Sequence, residues 1–153
     1  MASSPSGISP QASELELPVS VWVTRAMDGA PEDGVREAIA GRERGFFLEV
    51  LERAAKEARD VSGVVRGAAR GLSERGGASG ALVVVRELWA RECCMRRGFL
   101  AAGLLGLVEG LEARYAEPVS DAGTATMLEA LTGHVDREVA AAARKAIPYF
   151  IRE

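Results

Sequence analysis

Small residues recur at every fourth position in two separate stretches of this chain, one near its middle and one further on. Residues four apart lie on one face of an α-helix, and each glycine inside a helix costs about 1 kcal/mol relative to alanine. The pattern therefore predicts two helices, each with a face free of side chains that another backbone can approach closely. The two series contain Gly63, Gly67, Gly71, Gly98, Ala102, Gly106 and Gly110.

Three explanations account for these glycine series. The two helices pack on each other or on neighbours inside the monomer, or one series forms a surface for self-association or a protein partner. The third explanation is a genome that favours glycine codons, which would also account for 17 Arg against 2 Lys and the absence of Asn. Growth at high temperature is a second possible reason for the absence of Asn and the single Gln, since the side-chain amides of both residues are heat-labile.

Apolar residues recur with the 3.6-residue period of α-helices along most of the chain. Gly76 to Gly80 is expected to break the chain, with Ser79 as a cap for the helix that follows. Asp136 is a plausible cap for the last helix, in which Pro148 is expected to cause a kink or a frayed end. The predicted helices before that last one cover 35–40, 42–59, 61–75, 81–96, 97–116 and 120–131.

The first ordered segment has two interpretations. Residues 14–23 alternate apolar and polar side chains as an edge strand does, whereas Val19, Trp22 and Val23 also fit one face of a helix. Pro18 favours the helix, because proline suits the first helical turn and removes a hydrogen bond from a strand. Both interpretations remain open at this point.

The predicted fold class is all-α, with six to seven helices in a compact bundle or a short stack of antiparallel helix pairs. Residues 14–153 are expected to form one domain, preceded by a disordered arm over residues 1–13. The most apolar stretch, 98–108, is interrupted by Glu109 and is too short to span a membrane. Residues 136–147 resemble the second helix of a HEAT-type repeat, which implies a protein-binding scaffold.

The cysteines, Cys93 and Cys94, are adjacent and cannot form the disulfide framework of a small secreted domain, so we expect a cytoplasmic protein. Neighbouring side chains on a helix point about 100° apart. Cys93 is therefore expected in the core and Cys94 at the surface, where nearby arginines would lower its pKa and make it a candidate reactive thiol. His134, the single histidine, is expected in an exposed or capping position between helices.

No familiar phosphate loop, nucleophile elbow or metal-binding motif occurs in the sequence, so we expect neither an enzyme nor a cofactor or metal. The leading hypothesis is a non-catalytic helical protein-interaction module that self-associates or forms a small subunit of a larger assembly. The alternative is a nucleic-acid-associated protein, although the net charge of -3 and the 5% of aromatic residues count against it. Its candidate phosphate contacts are Arg66, Arg70, Arg96 and Arg97.

Overall fold

The computed structural model describes residues 14–152 and confirms an all-α fold. Two very short strands, β1 (Val119–Ser120) and β2 (Phe150–Ile151), pair in parallel with Val119 opposite Phe150. No helix in this part of the chain has both the length and the hydrophobicity needed to cross a bilayer. The described helices are α1 (Val19–Met27), α2 (Glu32–Ala38), α3 (Glu43–Ala54), α4 (Ser62–Ala90), α5 (Arg97–Ala113), α6 (Ala122–Leu131) and α7 (Arg137–Ala146).

The first ordered segment is helical. α1 begins directly after Pro18, and Trp22 and Val23 are buried on one face of it. An edge strand over residues 14–23 is therefore the wrong alternative, and the short strands lie at the other end of the domain. The predicted arm over residues 1–13 lies outside the described residues.

The predicted break at residues 76–80 is confirmed and lies at Gly77. Gly77 has φ 60° and ψ -136°, values outside the helical region, so α4 consists of two helical segments that meet at a kink there. Ser79 was expected to cap a new helix, but its hydroxyl donates to the Gly76 carbonyl at 3.1 Å.

Two predicted helices end earlier than periodicity suggested. α3 ends at Ala54 and not at residue 59, and the second half of α4 ends at Ala90 and not at residue 96. The guanidinium of Arg96 donates to the backbone carbonyls of residues 57–59, which holds the segment after α3 in a non-helical path. The connection between α3 and α4 therefore covers residues 55–61, and the connection between α4 and α5 covers residues 91–96. Both contribute residues to the sites described below.

α5 lies at the centre of the molecule, between α4 on one side and α7 on the other. Its leucines at 100, 104, 107 and 111 are almost completely inaccessible to solvent. α7 begins as predicted, because the Asp136 carboxylate accepts hydrogen bonds from the amides of Glu138 (2.9 Å) and Val139 (3.2 Å). The frayed end expected at Pro148 is a short 3-10 turn over Ile147–Tyr149.

Candidate functional site

The second glycine series is used for packing within the monomer. A side chain at Gly106 would collide with the backbone carbonyl of Arg66, and one at Gly110 would collide with that of Arg70. Ala102 is also buried, whereas Gly98 lies at the exposed start of α5 with nothing close to it. The internal explanation is therefore confirmed for Gly106 and Gly110, where α5 approaches the backbone of α4.

The first glycine series has no such neighbour. The space above Gly63 and Gly71 is open within 4 Å, and an added side chain at Gly67 would meet the Glu32 carboxylate, its carbon at 3.8 Å and Oε1 at 3.9 Å. All three glycines border one cavity of about 420 Å³. We call this cavity, with the face of α4 that carries Gly63, Gly67 and Gly71, the α4 groove.

The opposite wall of the α4 groove comes from α1, α2 and α3. Its surface is largely apolar, and neighbouring residues on α4 continue that surface beside the glycines. These side chains belong to the same hydrophobic core that holds the helices together, so the groove is part of a rigid framework. The apolar lining includes Met27, Val35, Ile39, Phe46, Val61 and Val64.

Charged side chains at the edge of the α4 groove mostly neutralise each other. Arg36 pairs with Glu32 at 3.0 Å, and Arg75 lies 3.5 Å from the carboxylate of Glu43. Glu43 is only 8% exposed, and both of its oxygens accept a hydrogen bond from the Gly41 amide at 3.1 Å. These paired charges leave little net field over most of the groove.

Asp60 is the exception at the end of the groove nearest the start of α4. Of the carboxylates on the described rim, it alone forms no ion pair, although Arg75, Arg36 and their partners lie on the same cavity. The Ser62 amide donates to Asp60 at 3.0 Å, and hydrogen bonding to Ser62, with a smaller contribution from the charge of Arg96, lowers the pKa of the carboxyl below its ordinary value. The groove therefore has one negatively charged end that faces solvent.

The predicted phosphate-contacting arginines are largely occupied by partners within the chain. Arg66 forms a two-point pair with Glu109, with 3.0 Å between Nε and Oε1, and Arg70 lies 3.7 Å from Glu74. Arg96 is engaged with backbone carbonyls, and Arg97 alone has no ion pair or hydrogen bond within residues 14–152. Three of the four predicted phosphate contacts thus already have partners inside the chain.

Of the two cysteines, Cys94 lies at the surface as predicted and Cys93 does not lie where it was predicted. Both are exposed, so the expectation that Cys93 lies in the core is wrong, and Met95 takes the buried position instead. The Sγ atoms lie 3.2 Å apart because residues 91–94 form a turn and not a helix. The hydrogen bond that it shares with Cys93, together with the negative charge of the Cys93 thiolate, raises the pKa of Cys94, the opposite direction to the one expected from the nearby arginines.

His134 has the capping role expected of it. Its Nδ1 accepts a hydrogen bond from the Asp136 amide at 3.0 Å, and its Nε2 lies 3.3 Å from the Glu92 carboxylate. Over the described part of the chain, no three His, Cys, Asp or Glu side chains are grouped in a way that could hold a metal ion.

The sequence predicted the glycine face of α4, which is one wall of the α4 groove, but not the opposite wall from α1, α2 and α3. Val35 lies on α2, Ile39 directly follows that helix, and Phe46 belongs to the predicted face of α3, but nothing local indicates that they face Gly67. Comparison of the chain with protein-family models, with curated proteins and with solved structures gave no match. The groove geometry alone therefore supports the functional interpretation below.

Proposed function

We propose that this chain is a non-catalytic helical protein-interaction module that binds an amphipathic helix of a protein partner in the α4 groove. The observation that carries the proposal is the open space above Gly63 and Gly71, with only the Glu32 carboxylate near Gly67 between them. Glycine in a helix lowers its stability, and at Gly106 the close approach of α5 offsets that cost. Nothing in the described chain offers the same compensation at Gly63 or Gly71, and a docked helix would.

The dimensions of the groove suit a short length of helix. Three glycines at four-residue spacing extend over about 12 Å, or a little more than two helical turns. A helix laid along this face can bring its backbone close to α4 and place apolar side chains against Val35, Ile39 and Phe46. Recognition of an amphipathic helix by an apolar groove follows the same physical rules as packing inside a protein.

The charge at the rim favours a particular orientation of the partner. Asp60 forms no ion pair with the described residues, although the charge of Arg96 acts on it, and it lies at one end of the groove. Glu32 and Glu43, in contrast, have cationic partners. A helix N-terminus or a Lys or Arg in the first turn of the partner would be stabilised beside Asp60. The proposed occupant is therefore an amphipathic helix with an apolar face and a basic first turn.

The internal pairing of the arginine clusters leads us to place protein binding above nucleic-acid binding. Arg66 and Arg70 would have to give up Glu109 and Glu74 before contacting phosphates. A cytoplasmic location is part of the proposal, since exposed free thiols such as Cys93 and Cys94 are best maintained in a reducing compartment.

Selection from a library of displayed random peptides tests the proposal. The library carries peptides of about 16 residues, roughly four helical turns, and the bait is the full chain. We expect the selected peptides to share apolar residues at i, i+3, i+4 and i+7 and a basic residue near the amino end. Gly67→Leu should weaken their binding by about tenfold or more, because leucine fills the groove.

Gly98→Leu is the matched control, since Gly98 is also a helical glycine with nothing within 4 Å but lies outside the groove. Peptides that bind wild type, Gly67→Leu and Gly98→Leu equally would contradict the proposal, as would a selection that returns no groove-dependent peptide. Analytical sedimentation of the same variants measures their oligomeric state, and so tests whether a second copy of the chain occupies the groove instead of a partner helix. Self-association that Gly67→Leu abolishes would assign the groove to a second copy of the chain.

A further inference from the structure

The turn between α4 and α5 brings two sulfur atoms together at the surface. The amides of Cys94 and Met95 both donate to the Arg91 carbonyl, at 3.0 and 2.9 Å. In this turn the adjacent side chains converge, so the Sγ atoms of Cys93 and Cys94 lie 3.2 Å apart and both residues are exposed. The pair is accessible to a reagent from solvent.

Contacts on both sides hold the turn in this shape. Met95 anchors its far end in the core at 8% exposure, and Glu92 lies 3.3 Å from His134 of the α6–α7 connection. Arg91 pairs with Glu87 in the last turns of α4. Because the turn already holds the two sulfurs together, a ligand that binds both of them loses less conformational entropy on binding.

The distance between the two sulfurs distinguishes a disulfide bond from a single atom that bridges both sulfurs. A disulfide bond is about 2.05 Å long, so oxidation would require the sulfurs to move roughly 1.2 Å closer. One atom bonded to both sulfurs at about 2.3 Å, the length of a metal–thiolate bond, holds them about 3.3 Å apart when the bond angle is near 90°. The observed 3.2 Å matches such a bridge.

We propose that Cys93 and Cys94 form a vicinal dithiol site that binds a trivalent metalloid, such as the arsenic of an organoarsenical, through both sulfur atoms. A trivalent arsenic with one organic substituent needs only two further ligands. This requirement suits a pair that has no third metal-binding side chain grouped with it among residues 14–152. Neither cysteine lines the α4 groove, so the site is independent of the proposed helix binding.

The reaction balances without an oxidant or a reductant. Phenylarsine oxide carries arsenic bonded to one phenyl group and to one oxygen. The two S–H bonds break, two As–S bonds form, and the oxygen leaves with both protons as water. Arsenic stays trivalent, and the product is a nine-membered ring closed by the peptide bond between the two cysteines.

Mass spectrometry of the reduced full chain after treatment with phenylarsine oxide tests the site. We expect one adduct whose mass equals the reagent minus one water, and we expect it to persist in excess glutathione and to be removed by a small dithiol. In Cys93→Ser and in Cys94→Ser only one As–S bond can form. The glutathione concentration that removes the adduct should then fall by roughly a hundredfold.

Both cysteines are exposed, so the serine variants should fold, and their thermal unfolding is measured beside that of wild type. A wild-type chain with no glutathione-resistant adduct would overturn the proposal. A resistant adduct that survives in either single serine variant would overturn it as well, because the second sulfur would then be unnecessary.

Discussion

At the scale of single residues, the ends of α1 and α5 use the same backbone geometry with different side chains. Gly29 follows α1 with φ 96°, and Tyr115 follows α5 with φ 52°. After each helix, two amides donate back to carbonyls of the last turn, as Ala116 does to Leu111 at 3.0 Å. This left-handed conformation suits glycine and strains tyrosine, and the Tyr115 side chain is 92% exposed with little burial in return.

Tyr115→Gly should therefore stabilise the protein. We expect the free energy of unfolding to rise by about 0.5–1 kcal/mol, because the left-handed strain is relieved while little buried surface is lost. Chemical denaturation with the slope held common to both proteins measures the change. Gly29→Ala makes the reverse change after α1 and should destabilise; if both substitutions shift stability in one direction, backbone strain is not the cause.

At the scale of secondary-structure elements, Arg96 connects the start of α5 to the segment after α3. Its guanidinium donates to the carbonyls of Glu57 and Ala58 at 3.0 Å and to that of Arg59 at 3.4 Å. It also lies 5.1 Å from the centre of the Phe99 ring. One side chain thus supplies hydrogen bonds to three carbonyls that no helix or sheet pairs with.

Arg96→Ala should loosen the segment over residues 55–60. We expect a loss of about 1–3 kcal/mol in the free energy of unfolding, since hydrogen bonds from a charged donor are removed. Hydrogen exchange of the amides in that segment should also become faster.

Arg97→Ala is the control for this prediction, because Arg97 is the first residue of the same helix and has no ion pair or hydrogen bond within the described residues. It should leave both measurements near their wild-type values. Nucleic-acid binding that falls equally in the two variants, with a steep dependence on salt, would instead support the alternative function of these arginines.

At the scale of the whole molecule, the packing of α5 against α4 determines where space is left. α5 comes so close at Gly106 and Gly110 that the carbonyls of Arg66 and Arg70 occupy the positions of their missing side chains. This contact covers one face of the first half of α4. The face that carries Gly63, Gly67 and Gly71 is thereby left toward α2, where the two backbones stay apart.

Gly106→Ala should destabilise the fold by about 1–3 kcal/mol, because the added methyl forces α5 away from α4. Gly98→Ala should change stability by no more than about 1 kcal/mol and in the favourable direction, since the site is open and alanine favours helix. Thermal unfolding followed by circular dichroism compares the two. Equal effects of the two substitutions would mean that the α4–α5 contact is looser than these positions indicate.

Local sequence signals determined much of the helix content. The periodicity over residues 97–116 predicted α5, and Asp136 predicted the start of α7, because a helix face and a side-chain cap depend on residues only a few positions apart. The same reasoning placed Cys93 in the core, because it extended the second half of α4 to residue 96. It also left the first ten ordered residues undecided between strand and helix.

The glycine spacing by itself determined that two helices would carry side-chain-free faces, and only the tertiary structure decided which face would be filled. Gly106 and Gly67 have the same local pattern, yet one meets a carbonyl and the other borders an open cavity. The early end of α4, and with it the meeting of the two sulfurs, likewise depends on burial of Met95. These outcomes are set by contacts between residues far apart in sequence, whose energies a local pattern does not contain.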